Sequence, residues 1–181
     1  MKYFLDTEFY ERPNQIDLIS LGVVDESGRT FYAENTEIEM SLFDAQPWLK
    51  ENVLPHLRRT DIGKGRGISR ADTGTTETVV FSSPEGIGHQ FKAWVGDDPR
   101  PEFWSWYADY DWVVLCWCFG AMMDLPKGFP MYCRDIQQVI DAKGHPKRPK
   151  QTGAGHDALS DALYHRRLYE WITAYEPNMS Q

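Results

Sequence analysis

Asp6 and Glu8 interrupt an otherwise apolar and aromatic run, residues 3–9 (Tyr-Phe-Leu-Asp-Thr-Glu-Phe). Such a run reads as a strand, and strand side chains alternate between faces, so both carboxylates fall on one face, about 7 Å apart along the backbone. Like charges so placed repel unless a cation lies between them. Residues 18–24 (Leu-Ile-Ser-Leu-Gly-Val-Val) read as a second, well-buried strand after a turn at Pro13 and Asn14. Residues 25–28 have hairpin composition, and residues 30–33 fit the returning third strand. The chain therefore commits early to an antiparallel three-strand start.

Helical signals follow. Residues 44–54 read as a helix closed by Pro55, and Ser83-Pro84-Glu85 as a capped start of a helix running to about residue 95. Residues 102–106 fit a fourth strand and residues 111–119 a buried helix. Residues 134–142 fit another helix, ending at Gly144. The last covers about residues 157–174, with Leu159, Leu163, Leu168 and Ile172 as core contacts. The order predicts one α/β domain over residues 1–181: a mixed central sheet, antiparallel at first and then parallel, flanked by helices. A long surface loop is expected at residues 58–78 and a basic loop at residues 143–155.

The 181 residues are 41% hydrophobic and 25% charged, enough for a core without a disulfide scaffold. The three cysteines (Cys116, Cys118, Cys133) form no Cys-x-x-Cys pair, which suits a reducing cytoplasm. No signal-peptide core opens the chain, and the longest uncharged stretch, residues 112–123, is short for a membrane span, so no membrane partner is expected. The net charge of −8 argues against a polyanionic partner in bulk. Its distribution leaves two basic stretches: Arg58, Arg59, Lys64, Arg66 and Arg70 against Asp61 alone, and Lys143, Lys147, Arg148 and Lys150 with no acid.

Two further acidic groups stand where sites form. Asp109 and Asp111 follow the aromatic run Trp104-Ser105-Trp106-Tyr107 at a strand-to-helix junction, a usual place for site residues in α/β sheets. Either can instead cap the next helix, Asp109 in particular. In Gly155-His156-Asp157-Ala158-Leu159-Ser160-Asp161, Asp157 as a cap places Asp161 one turn into the helix, with His156 on the preceding loop. All-oxygen ligands suit hard divalent cations, and a histidine suits proton removal from water near neutral pH.

Taken in order, Asp6-x-Glu8, Tyr110-Asp111 and His156-x-Ala158-x-x-Asp161 resemble the DEDD exonucleases, histidine subclass, over nearly the whole chain. The opening strand, residues 18–24 and the small size look closest to the compact mycobacterial-type 3′→5′ exoribonucleases. The resemblance implies a ribonuclease H-like fold. It also implies two Mg²⁺ or Mn²⁺ ions held by Asp6, Glu8, Asp111 and Asp161, with His156 accepting the proton of the attacking water. Position 157 is Asp and not Tyr, which excludes the tyrosine subclass. The implied partner is the 3′ end of single-stranded or overhanging RNA, with single-stranded DNA as the alternative substrate, and homodimers are frequent among such proteins. A catalytically inactive nucleic-acid-binding module is the alternative of another class, against which the intact acidic set speaks. The family's asparagine ahead of the middle aspartate is absent; Trp106 and Tyr107 stand there.

Phe9 follows the strand carboxylates and is a candidate to stack on the terminal base, or equally a core residue; base stacking is worth about 1–3 kcal/mol. Lys150 is the candidate phosphate contact from the second basic stretch. Trp104, Trp106, Met122, Met123 and residues 116–118 read as packing, and His56, His89, His145 and His165 match no motif.

Overall fold

The computed structural model describes residues 1–59, 70–73, 76–153 and 155–176, over 70–73 the backbone alone. Three strands, β1 (Lys2–Arg12), β2 (Gln15–Asp25) and β3 (Thr30–Asn35), form the expected antiparallel meander. Further out lie β4 (Arg70–Thr73), β5 (Glu77–Ser82), β6 (Glu102–Ser105) and β7 (Arg134–Asp135). Among the described residues the sheet has seven strands in the order β4-β5-β3-β2-β1-β6-β7. The pairs β3–β5, β1–β6 and β6–β7 are parallel, so the mixed sheet is as the sequence predicts.

Strand alternation divides the core. Tyr3 and Leu5 point to the face covered by α3 (Pro84–Val95) and α4 (Asp109–Trp117), packing with Phe31, Phe91, Phe103 and Leu115. Phe4 points the other way, to α5 (Ile136–Ala142) and α6 (Ala158–Ala174), with Ile136, Leu168 and Ile172. A third cluster, with Ile19, Phe43, Leu49 and Val53 at its centre, seats the short helices α1 (Met40–Ala45) and α2 (Pro47–Asn52).

Several expectations need correction. The single helix read over residues 44–54 is two helices and a 3₁₀ turn (Leu54–His56), because Pro47 disfavours helical backbone at Gln46, which sits at φ −129°, ψ 83°. The loop read over residues 58–78 contains β4 and the start of β5. The β-branched and aromatic residues Val79, Val80 and Phe81 extend the sheet beside β3, with Val80 fully buried. Residues 60–69 and 74–75 of that stretch lie outside the described residues. Leu163 is exposed, since its position on α6 turns away from the sheet, and Met122 and Met123 lie exposed on a 3₁₀ turn that the core does not cover. Residues 143–153 carry no helix or strand, in keeping with the expected basic loop, of which residue 154 is not described.

The Ser83 hydroxyl caps α3 by accepting from Gly86 N–H. Likewise the Asp157 carboxylate caps α6, accepting from Ser160 N–H at 2.8 Å. No described helix is long and apolar enough to cross a membrane.

Candidate active site

The acids converge because α6 comes down directly on the sheet. Gly22 pairs with Asp6 across the β1–β2 ladder, and a Cβ on Gly22 would lie 2.2 Å from the Ala158 carbonyl oxygen. The absent side chain lets the first turn of α6 rest on β2 beside Asp6. Asp6 and Glu8 continue the Phe4 series of β1, so they face the helix that carries Asp161. Carboxylate oxygens of Asp6, Glu8 and Asp161 lie within 4.8 Å of one another. They line an open cleft of ≈ 370 Å³ shared with Thr7, Phe9, Trp106, Asp111, Gln151, Gly155, His156 and His165.

Asp111 enters the same cleft from α4, on the opposite side of the sheet edge. One of its oxygens accepts from the Thr7 backbone N–H at 2.9 Å and the Thr7 hydroxyl at 2.6 Å. The other accepts from the Ser105 hydroxyl at 2.9 Å. Asp111 is buried, whereas Asp109 is exposed in the first turn of α4 and caps nothing. The structure thus brings Asp111, not Asp109, into the cleft, outside the group of Asp6, Glu8 and Asp161 whose oxygens lie within 4.8 Å of one another.

His156 sits on the loop before α6, exposed, with a left-handed backbone at φ 63°. For a non-glycine residue this conformation costs about 1–3 kcal/mol and needs support from its surroundings. Its N–H donates to Asp161 Oδ2 at 2.8 Å, and its ring meets Trp48 edge to face at 4.7 Å. The Gln151 amide donates to the other Asp161 oxygen. Phe9 is half-buried, packed on the core and stacked on exposed Tyr110 at 5.7 Å. Lys150 is exposed and is not among the cleft-lining residues; its neighbour Gln151 is.

Burial raises the pKa values of these acids, and for Asp6 and Glu8 the neighbouring carboxylates add to it. Burial, then the charges of Asp111, Glu8 and Asp161, holds the Asp6 carboxyl well above its usual range. Burial and the charges of Asp161 and Asp111 push Glu8 up to about 8. Burial raises Asp111 to about 6 against the pull of its Thr7 and Ser105 donors. Asp161 is raised by burial, opposed by Gln151 and the His156 N–H. Buried carboxyls that resist ionising together, all with oxygen donors, fit a hard divalent cation.

Sequence reading missed four contributors. Thr7 and Ser105 act through Asp111, and Gln151 and the buried His165 reach the cleft from a loop and from α6. Only His165 left a signal: four residues after Asp161 on a helix, it must share that residue's face.

The first basic stretch is partly structural. Arg58 lies over the Tyr32 ring and pairs with Glu77 at 2.9 Å, and buried Arg59 donates to Asn35 O and Glu34. Lys64 and Arg66 lie outside the described residues. In the second stretch Lys143 reaches Tyr175 O, and Arg148 stacks over Trp106 at 4.3 Å, beside the cleft.

No protein-family model matches the chain. Two curated relatives, from the CDC 1551 / Oshkosh and H37Rv strains of Mycobacterium tuberculosis, are each named 3′-5′ exoribonuclease. Each is 35% identical over 174 residues, covering 96% of this chain and 94% of the relative. With near-complete coverage in both directions, the chain belongs to the family of these 3′-5′ exoribonucleases.

Proposed function

We propose that the protein is a metal-dependent 3′→5′ exoribonuclease of the DEDD type, histidine subclass, with a ribonuclease H-like fold. It acts on the 3′ end of single-stranded or overhanging RNA and releases nucleoside 5′-monophosphates. The reading rests on one observation: carboxylates from β1 and α6 meet within 4.8 Å, with His156 tied to one of them. The name carried by the mycobacterial relatives supports RNA as the substrate.

Asp6, Glu8, Asp111 and Asp161 hold two Mg²⁺ or Mn²⁺ ions. When bound, such ions supply a water of lowered pKa and neutralise charge on the phosphate and the leaving oxygen. His156 stands at the solvent side of the cluster and accepts the proton released by the attacking water. Its strained backbone is secured through Asp161, so the base and one ligand keep a fixed relation. Phe9, on the cleft wall, stacks on the terminal base, and Tyr110 supports it from behind. Arg148 and Lys150 attract the backbone on the side of the cleft lined by Trp106 and Gln151. Fixed cations of this kind make binding salt-sensitive.

The test is digestion of matched 5′-labelled RNA and DNA oligomers with Mg²⁺ or Mn²⁺ and with EDTA. A metal-dependent descending RNA ladder is expected. Faster loss of DNA overturns the substrate assignment; a single internal cut overturns exonucleolysis; undiminished activity in EDTA overturns the metal assignment.

A further inference from the structure

Odd-numbered residues of β1 turn their backbone polar groups toward β6, as the Glu102 N–H to Met1 carbonyl bond shows. Even-numbered ones turn away: the Lys2 carbonyl accepts from Glu26 beyond β2. The parallel β1–β6 ladder ends at Phe4 and Trp104, because the chain leaves β6 after Ser105 to start α4. The β1 edge facing β6 therefore continues past its partner strand, and its buried polar groups must find side chains. Thr7 N–H finds Asp111, as above. The Leu5 carbonyl finds His165: Nδ1 lies 2.8 Å from Leu5 O.

Since a carbonyl only accepts, Nδ1 carries the proton. Nδ1 also lies 3.5 Å from Ser105 Oγ, the hydroxyl that donates to Asp111. On the far side of the ring, Nε2 lies 3.8 Å from Asp6 Oδ1, beyond hydrogen-bonding distance. The imidazole thus walls the Asp6 carboxylate without occupying its oxygen. It is almost fully buried on α6, four residues from Asp161, and it meets the carbonyl of the residue next to Asp6 on β1.

We propose that His165 is a positioning residue of the acid cluster. By completing the hydrogen bonding of β1 at Leu5, it fixes Asp6 against α6 at the separation from Asp161 that lets both hold one divalent cation. This rests on the metal-dependent reading above, and it assigns His165 no contact with RNA and no proton transfer.

The test is calorimetric titration of Mn²⁺ into the intact wild-type protein, His165→Phe and His165→Asn, each checked for folding by circular dichroism. Phenylalanine keeps the ring and removes the donor, whereas asparagine places an amide N–H where Nδ1 stands. Weaker Mn²⁺ binding by about 10–100-fold is expected for His165→Phe, the range seen when partners of metal ligands are removed. Near-wild-type binding is expected for His165→Asn. On RNA, His165→Phe should shift the metal dependence of kcat and leave KM for RNA unchanged. Wild-type Mn²⁺ affinity in folded His165→Phe overturns the positioning role alone. A wild-type protein that binds no Mn²⁺ overturns the metal reading with it. Should His165→Phe not fold, the wild-type ¹H–¹⁵N spectrum decides. A persistent His165 Nδ1–H signal that moves on adding Mg²⁺ supports the role, and one unchanged at saturating Mg²⁺ refutes it.

Discussion

Thr7 donates both its hydroxyl (2.6 Å) and its backbone N–H (2.9 Å) to the same oxygen of Asp111. Two donors from one residue of β1 fasten an acid on α4 to the strand that carries Asp6 and Glu8. With Ser105 on the other oxygen, they keep the buried Asp111 near pKa 6, below the value of about 8 reached by Glu8.

Removing the hydroxyl while keeping the shape tests this link. Thr7→Val should destabilise the protein by about 1–3 kcal/mol, because a buried carboxylate loses a donor. Weaker Mn²⁺ binding should accompany the loss, while Thr7→Ser should stay close to wild type. Denaturant unfolding together with calorimetry measures both. An unchanged midpoint for Thr7→Val would falsify the link.

Gly22 is where the helix meets the sheet. Gly22→Ala puts a Cβ against the Ala158 carbonyl, and since both are backbone-bound neither can swing aside. Overpacking of this kind costs about 1–3 kcal/mol, and relief by lifting α6 would carry Asp161 away from Asp6. The melting temperature should fall and RNA hydrolysis with it. A variant with wild-type activity and stability would show that α6 does not depend on the contact.

The carboxyls themselves give two expectations. Asp161→Asn keeps an acceptor for the His156 N–H, so the loop should stay in place while hydrolysis falls to background; Asp6→Ala should do the same to activity. His156→Ala should slow hydrolysis by about 10²–10⁴-fold, as loss of a general base does, and leave Mn²⁺ affinity near wild type. Steady-state rates and calorimetry separate the two patterns. Normal turnover in Asp161→Asn would remove it from the ligand set.

The raised carboxyl pKa values fix the sign of a pH effect. Between about pH 4.5 and 8 the folded Glu8 binds more protons than the unfolded one, and Asp6 acts in the same direction. Metal-free stability should therefore fall as pH rises through that window. Mg²⁺ or Mn²⁺ replaces the protons, so the rise in melting temperature on adding metal should be larger at pH 8 than at pH 5. At a hundredfold excess over Kd the stabilisation is about 2.7 kcal/mol. Thermal scans with and without chelator at the two pH values check this, and an equal or reversed difference would count against a shared cation site.

The sequence alone determined what depends on short-range periodicity. Alternation on β1 put Asp6 and Glu8 on one face, and the Asp157 cap set Asp161 one turn into α6 with His156 just outside it. Chain order likewise specified the antiparallel start. Residue type alone left Asp109 and Asp111 open, since both lie in the first turn of α4; the family resemblance chose Asp111, and packing buries that one. Composition misled at residues 58–78, where glycine, threonine and arginine masked a strand whose partner, β3, is distant in the chain. Tertiary structure alone brought Thr7 and Ser105 to Asp111 and His165 to the Leu5 carbonyl, because the edge of β1 is left without a partner strand where β6 turns away. That vacancy in the ladder arises from strands meeting in space, and no local pattern of residues encodes it.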